Sequence, residues 1–186
     1  STDGGESWKQ VQSQTEPANG ILFLDQDRIL AAGEDGIAST RNCGDTWYLN
    51  TGITGVLFLA SCQEVVMAGT LDQGIWIKVG TTEWTVQKSL VARSFLGMEI
   101  SPRFAQDQTI FFYGLQEGIW KTTDSGKTWE CLNAELPSTA IVSLVLTGGN
   151  QDLHLVAAST EGLFASHDGG NTWEVIFNSP LTITAI

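Results

Sequence analysis

The side chains able to do chemistry are few, and their spacing does not gather them. Histidine occurs only at His154 and His167, and cysteine only at Cys43, Cys62 and Cys131. No H-x-x-x-H, C-x-x-C, phosphate-binding Gly-rich loop or G-x-S-x-G phrase is present. The two histidines read separately, His154 as a strand residue and His167 as an exposed turn residue. An odd cysteine count without close spacing argues against a disulfide framework and against a zinc site. The expectation is no metal and no cofactor, with free thiols leaning towards a reducing, cytoplasmic compartment. Carboxylates, by contrast, recur. Asp3, Asp124 and Asp168, with Asn42 as their amide counterpart, each stand five residues before a tryptophan. A second recurrence puts an acid one or two residues before a glycine: Glu34 and Asp35 before Gly36, Asp72 before Gly74, Glu117 before Gly118 and Glu161 before Gly162.

The first recurrence belongs to a phrase, S/T-x-D-x-G-x-T-W, that ends at Trp8, Trp47, Trp129 and Trp173, with a worn copy, shorter by one residue, ending at Trp84. Its chemistry is that of a turn. A short carboxylate accepts hydrogen bonds from backbone N–H groups left unpaired by the chain reversal, as Asx-type turns do. The glycine supplies a positive φ at little steric cost. The hydroxyls bond locally, and the tryptophan fills space between neighbouring units. These aspartates are one per repeat, so they do not build a single catalytic or metal site. They read as scaffold.

The tryptophans are 39, 37, 45 and 44 residues apart, periods that mean a solenoid, a propeller or an array. Each period holds four short β-rich runs separated by Gly, Asn, Asp and Ser turns. First strands fall near 21–25, 56–60, 95–100 and 141–146, and second strands near 28–32, 64–68, 109–113 and 153–157. Third strands open at Gly36, Gly74, Gly118 and Gly162, and fourth strands start at the tryptophans that end the phrase. No segment sustains a 3.6-residue apolar period, so no helix is predicted. The expected fold is an all-β propeller of four-stranded antiparallel blades, in one domain. Four complete repeats cover roughly 18–55, 56–92, 93–138 and 139–179. Residues 1–17 and 180–186 supply parts of a fifth blade. The favoured reading of the ends is a fragment of a larger propeller, with self-association through the incomplete blade as the alternative use of residues 181–186.

The phrase resembles the Asp-box, or BNR repeat, of sialidases, some glycoside hydrolases, sortilin-type receptors and photosystem II assembly factors. The resemblance covers nearly the whole chain and implies the propeller fold. It implies no one activity, since unrelated functions share the box. A sialidase would need three clustered arginines, a Tyr nucleophile and an R-I-P phrase. Here the arginines are Arg28, Arg41, Arg93 and Arg103, with no such phrase, and Tyr48 and Tyr113 both read as strand. Glycosidases of this type need two carboxylates ~5–9.5 Å apart, and none is singled out. The seven tryptophans fall in box or third-strand positions, which read as core rather than as sugar platforms.

The chain has 21 acidic and 9 basic residues and a net charge of −12, which argues against nucleic-acid or anionic-membrane partners. No run of 18 apolar residues is present. The acid-bearing turns before Gly36, Gly74, Gly118 and Gly162 should lie opposite the boxes, beside the blade-to-blade connectors, and form an arc. Glu34, Asp35, Asp72, Glu117 and Glu161 are the candidate binding face for a protein partner carrying basic residues. The connector at 88–96, with Arg93 among apolar residues, is a further candidate contact. The leading reading is a non-enzymatic scaffold that presents this loop face. The alternatives are a carbohydrate-binding or glycoside hydrolase-like propeller and a photosystem II assembly factor-like protein.

Overall fold

The computed structural model describes residues 4–8, 17–90, 93, 95–147 and 153–178. These form four four-stranded antiparallel sheets, each a simple meander. The first holds β1 (Ala18–Phe23), β2 (Ile29–Gly33), β3 (Ile37–Thr40) and β4 (Tyr48–Asn50). The second holds β5 (Val56–Cys62), β6 (Val65–Thr70), β7 (Ile75–Val79) and β8 (Thr85–Val86). The third holds β9 (Gly97–Ile100), β10 (Ile110–Gly114), β11 (Gly118–Thr122) and β12 (Glu130–Cys131). The fourth holds β13 (Ile141–Thr147), β14 (His154–Ser159), β15 (Gly162–Ser166) and β16 (Glu174–Asn178). β1 contacts β5, β5 contacts β9 and β9 contacts β13, so the first strand of each sheet is the innermost. This is an all-β propeller of four blades.

The sequence explains why the blades stack. The second strand of a blade is covered on both faces, so it reads as an unbroken apolar run rather than as an alternation. In β10, Phe112 enters a cluster with Met67, Ile75, Ile77 and Phe95 at the second seam, while Phe111 joins Ile141, Leu144 and Leu155 at the third. The first seam packs Leu30, Ala32 and Ile37 against Val56, Val66 and Ala68. Full burial of each large apolar side chain contributes roughly 1.5–3 kcal/mol. Trp84, Trp129 and Trp173 each pack on the cluster formed with the preceding blade, and Trp47 is half-buried. Trp8 departs from the core expectation: it is 81% exposed, although its indole still donates to Gly5 O at 3.1 Å. No described sheet covers it.

Three other expectations need correction. Fourth strands begin one residue after the tryptophan, at Tyr48, Thr85, Glu130 and Glu174. A short helix, α1 (Phe104–Asp107), interrupts the third blade, and 3-10 turns occupy Lys88–Leu90 and Asn133–Glu135. Helix α1 sits in the longest repeat, where Ser101 Oγ and Asp107 Oδ2 lie 2.6 Å apart and close the segment on itself. Finally, β1 starts at Ala18, three residues before the first strand expected near 21–25. Asp3 and residues 181–186 lie outside the described residues. No helix among the described residues is long and apolar enough to cross a membrane.

Candidate binding face

Two ends of each blade carry different turns. At one end lie the repeated phrases. Thr40, Thr122 and Ser166 end third strands, and each hydroxyl accepts from the box glycine N–H, at 3.0, 2.9 and 2.8 Å respectively. The same hydroxyls donate to Asn42, Asp124 and Asp168 Oδ1. Those side chains then accept the backbone N–H of Thr46, Thr128 and Thr172, at 3.0, 2.9 and 2.9 Å. The indoles of Trp47, Trp129 and Trp173 donate to the Gly44, Gly126 and Gly170 carbonyls. The bonds set the acidity of the two carboxyls. Burial pushes the Asp124 carboxyl up, but hydrogen bonds from the Thr128 N–H and hydroxyl and the Thr122 hydroxyl outweigh it and hold the group at about 2. At Asp168 the Thr172 hydroxyl and N–H dominate and likewise hold it at about 2. In the worn copy, Thr82 takes over part of the work, bonding both the N–H and the carbonyl of Val79.

At the opposite end lie the acid-bearing turns and the connectors, bonded to each other. Gly55 N–H donates to Glu34 O, and Leu71 N–H to Gly55 O. Gly118, at φ +67°, opens β11 where a Cβ would meet the Asn133 side chain at 2.0 Å, so only glycine fits. Glu34, Asp35, Asp72 and Glu161 are exposed, in line with solvated turns.

Glu117 is different. Its side chain is only 15% exposed, and Arg93 Nη1 donates to its Oε2 at 2.5 Å. The Arg93 guanidinium also stacks 4.4 Å from the Trp120 ring centroid, an attractive placement over the π face. The Glu117 carbonyl accepts from both Trp120 Nε1 and Asn133 Nδ2, each at 3.0 Å. Glu117 therefore leaves the solvated arc and ties the connector to the third blade. The connector itself corrects another expectation. Leu90 and Phe95 are fully buried, so they are core, and the contact surface is Arg93 and Leu96.

The face also carries apolar side chains that the sequence reading passed over. Leu71 is 60% exposed, Leu115 47% and Leu96 43%. Leu71 and Leu115 sit in the acid-bearing turns, where nothing in the strand pattern requires an apolar residue. That mismatch was the available signal.

The histidines, read as unrelated, meet at the box end of the fourth blade. Their Nδ1 atoms lie 2.8 Å apart, and His167 Nε2 lies 3.1 Å from Glu174 Oε1. The thiols are free. A hydrogen bond to Asp27 raises Cys43, and burial raises Cys62. Among the described residues, no group of three or more metal-ligating side chains converges. Tyr113, half-buried on β10, is held protonated first by burial and then by the charge of Glu99.

No protein-family model matches the chain, and no curated protein sequence matches it. Solved structures do. One is an ancestral GH74 enzyme, at 17% identity over 91% of this chain and 26% of that one, TM-score 0.65. Another is YCF48 bound to D1 peptide, at 20% identity over 94% and 59%, TM-score 0.66. A third is BBS1N in complex with ARL6DN, at 15% identity over 85% and 51%, TM-score 0.56. The chain spans about a quarter of the GH74 protein and under two thirds of YCF48. At these identities the likeness is one of fold, and that fold is the β-propeller.

Proposed function

We propose that this chain is a non-enzymatic propeller of the Asp-box type that presents its acidic loop face to a protein partner carrying basic and apolar residues. The observation that carries the reading is the meeting on one face of exposed Leu71, Leu96 and Leu115 with solvated Glu34, Asp35, Asp72 and Glu161. Apolar side chains rimmed by charge are the composition of interaction surfaces. Propellers of similar fold are seen with a peptide and with a protein. The box residues Asn42, Asp124, Asp168, Trp47, Trp84, Trp129 and Trp173 are scaffold in this reading. A carboxyl held at about 2 is a poor general acid, and a phenol kept protonated at Tyr113 is a poor nucleophile. Self-association is part of the proposal at the end blades, where Ile21 and Phe23 on β1 and Val175, Ile176 and Phe177 on β16 are exposed.

The test is a peptide array of basic–apolar sequences run beside a glycan array on the same protein. Binding to the peptides that is lost on Leu71→Ser/Leu115→Ser supports the reading. Selective glycan binding without any peptide signal would move the assignment to a carbohydrate-binding propeller.

A further inference from the structure

The seam between the first and second blades differs from the other two. In the third and fourth blades the box glycine presses on the preceding blade. A Cβ at Gly126 would lie 2.9 Å from Ile77 Cδ1, and one at Gly170 would lie 2.5 Å from Leu132 Cδ1. The worn phrase of the second blade, 78–84, is one residue short and does not close in this way. Its Gly80 faces Glu64 of its own sheet, with a Cβ position 3.6 Å from Glu64 Oε2. A cavity of about 380 Å³ lies between the third and fourth blades, and one of about 220 Å³ lies between the first and second.

The lining of that cavity runs against the charge of the chain. Arg28, Arg41 and Lys78 all border it, three of only nine cationic side chains in a protein of net charge −12. Glu83 is the one acid among the described residues there. Arg28 is engaged by Asp25 at 2.5 Å. Arg41 and Lys78 have no hydrogen-bond or ion-pair partner among the described residues. The rest of the wall is mixed: Leu30, Val66 and the half-buried ring of Trp84 are apolar, while Ser39, Thr40, Asn50 and Thr81 are polar. An anion placed beside the unpaired Arg41 and Lys78 side chains gains charge-assisted hydrogen bonds. The volume is below the roughly 300–1,000 Å³ of pockets that take drug-sized ligands, so the occupant is small.

We propose that this seam binds a small organic anion, with its charged head among Arg28, Arg41 and Lys78 and its apolar body against Leu30, Val66 and Trp84. The site is separate from the loop face and does not depend on the function proposed for it.

Benzoate, benzamide and benzylamine test this as anionic, neutral and cationic probes of one size. The readout is the Trp84 indole N–H resonance, assigned by its loss in Trp84→Phe. Benzoate should give a saturable shift and bind at least about tenfold more tightly than benzamide, because only it makes charge-assisted bonds. Benzylamine should give none. Arg41→Gln/Lys78→Gln should weaken benzoate by about tenfold or more at an unchanged urea midpoint, since neither side chain has a partner to lose. Glu83→Gln should tighten it. Equal affinity for benzoate and benzamide, benzoate binding that survives Arg41→Gln/Lys78→Gln, or no saturable shift with benzoate would each overturn the proposal.

Discussion

Lys121 Nζ donates to the Gly169 carbonyl at 2.9 Å, so a side chain of the third blade holds the box turn of the fourth. The ammonium also lies 5.8 Å from the Phe111 ring centroid. Lys121→Met keeps the stem and removes the donor. It should lower stability by about 1–2 kcal/mol, towards the lower end of the range for hydrogen bonds to charged groups because the site is only half-buried. Urea unfolding checks this. An unchanged midpoint would show that water replaces the bond at no cost.

Two tryptophans at equivalent third-strand positions make a controlled pair. Trp120 Nε1 reaches the Glu117 carbonyl, whereas Trp76 Nε1 is buried without a hydrogen-bond acceptor among the described residues. An unmet buried donor costs ~1–3 kcal/mol. Trp76→Phe should therefore be near neutral or stabilising, and Trp120→Phe should cost at least about 1 kcal/mol more. Equal losses at the two sites would mean that ring volume alone decides.

The carboxyls of Asp124 and Asp168 are both held at about 2 in the folded chain, against about 3.9 for a free aspartate. A folded value below the unfolded one gives stability that is complete above the unfolded value and is lost as pH falls through the folded one. Unfolding midpoints should thus drop between about pH 5 and pH 2. Asp124→Asn/Asp168→Asn keeps the Oδ1 acceptor and lets the amide donate to the threonine hydroxyl, as Asn42 does to Thr46 in the first blade, but cannot titrate. Its acid profile should be flatter. Parallel profiles would place the acid sensitivity elsewhere. Asp168→Ala, which removes the acceptor, should cost ~1–3 kcal/mol.

The loop face makes a kinetic prediction for any peptide recovered from the array. Asp35→Asn/Asp72→Asn/Glu161→Gln should slow association and flatten its dependence on salt, with dissociation little changed. Leu71→Ser/Leu115→Ser should instead speed dissociation. Stopped-flow measurements at two ionic strengths separate the two. An association rate indifferent to both salt and the triple change would leave the acids as solvated turn residues. Glu117 is omitted from the set because Arg93 holds it.

How much of this was legible follows from the range of each interaction. Strand order, the tight turns and the local bonds of Asp124 and Asp168 all lie within a few residues, and the repeat displays them several times over. The Arg93–Glu117 pair spans 24 residues, and only the stacking of a connector on β11 brings it together. The His154–His167 contact spans 13 residues and crosses from a strand to a box turn, so no spacing motif announces it. The shortened phrase at 78–84 was visible as a defect. The gap beside it, lined by Arg28 and Arg41 from the neighbouring blade, required the seam itself. Leu90 and Phe95 misled for the opposite reason: a connector pattern says nothing of how deep its apolar residues go.

Among the described residues the apolar clusters are divided among three seams, each shared by two adjacent blades. Long-range cooperativity in such an arrangement passes only from neighbour to neighbour, as in a one-dimensional array. Opening the first seam costs the contacts of Leu30 and Val66 but leaves the cluster around Phe111 and Leu155 intact. Amide exchange should then be graded along the chain, slowest in β6 and β10, which are covered on both sides, and faster in β1 and β16, where fraying can begin without a global transition.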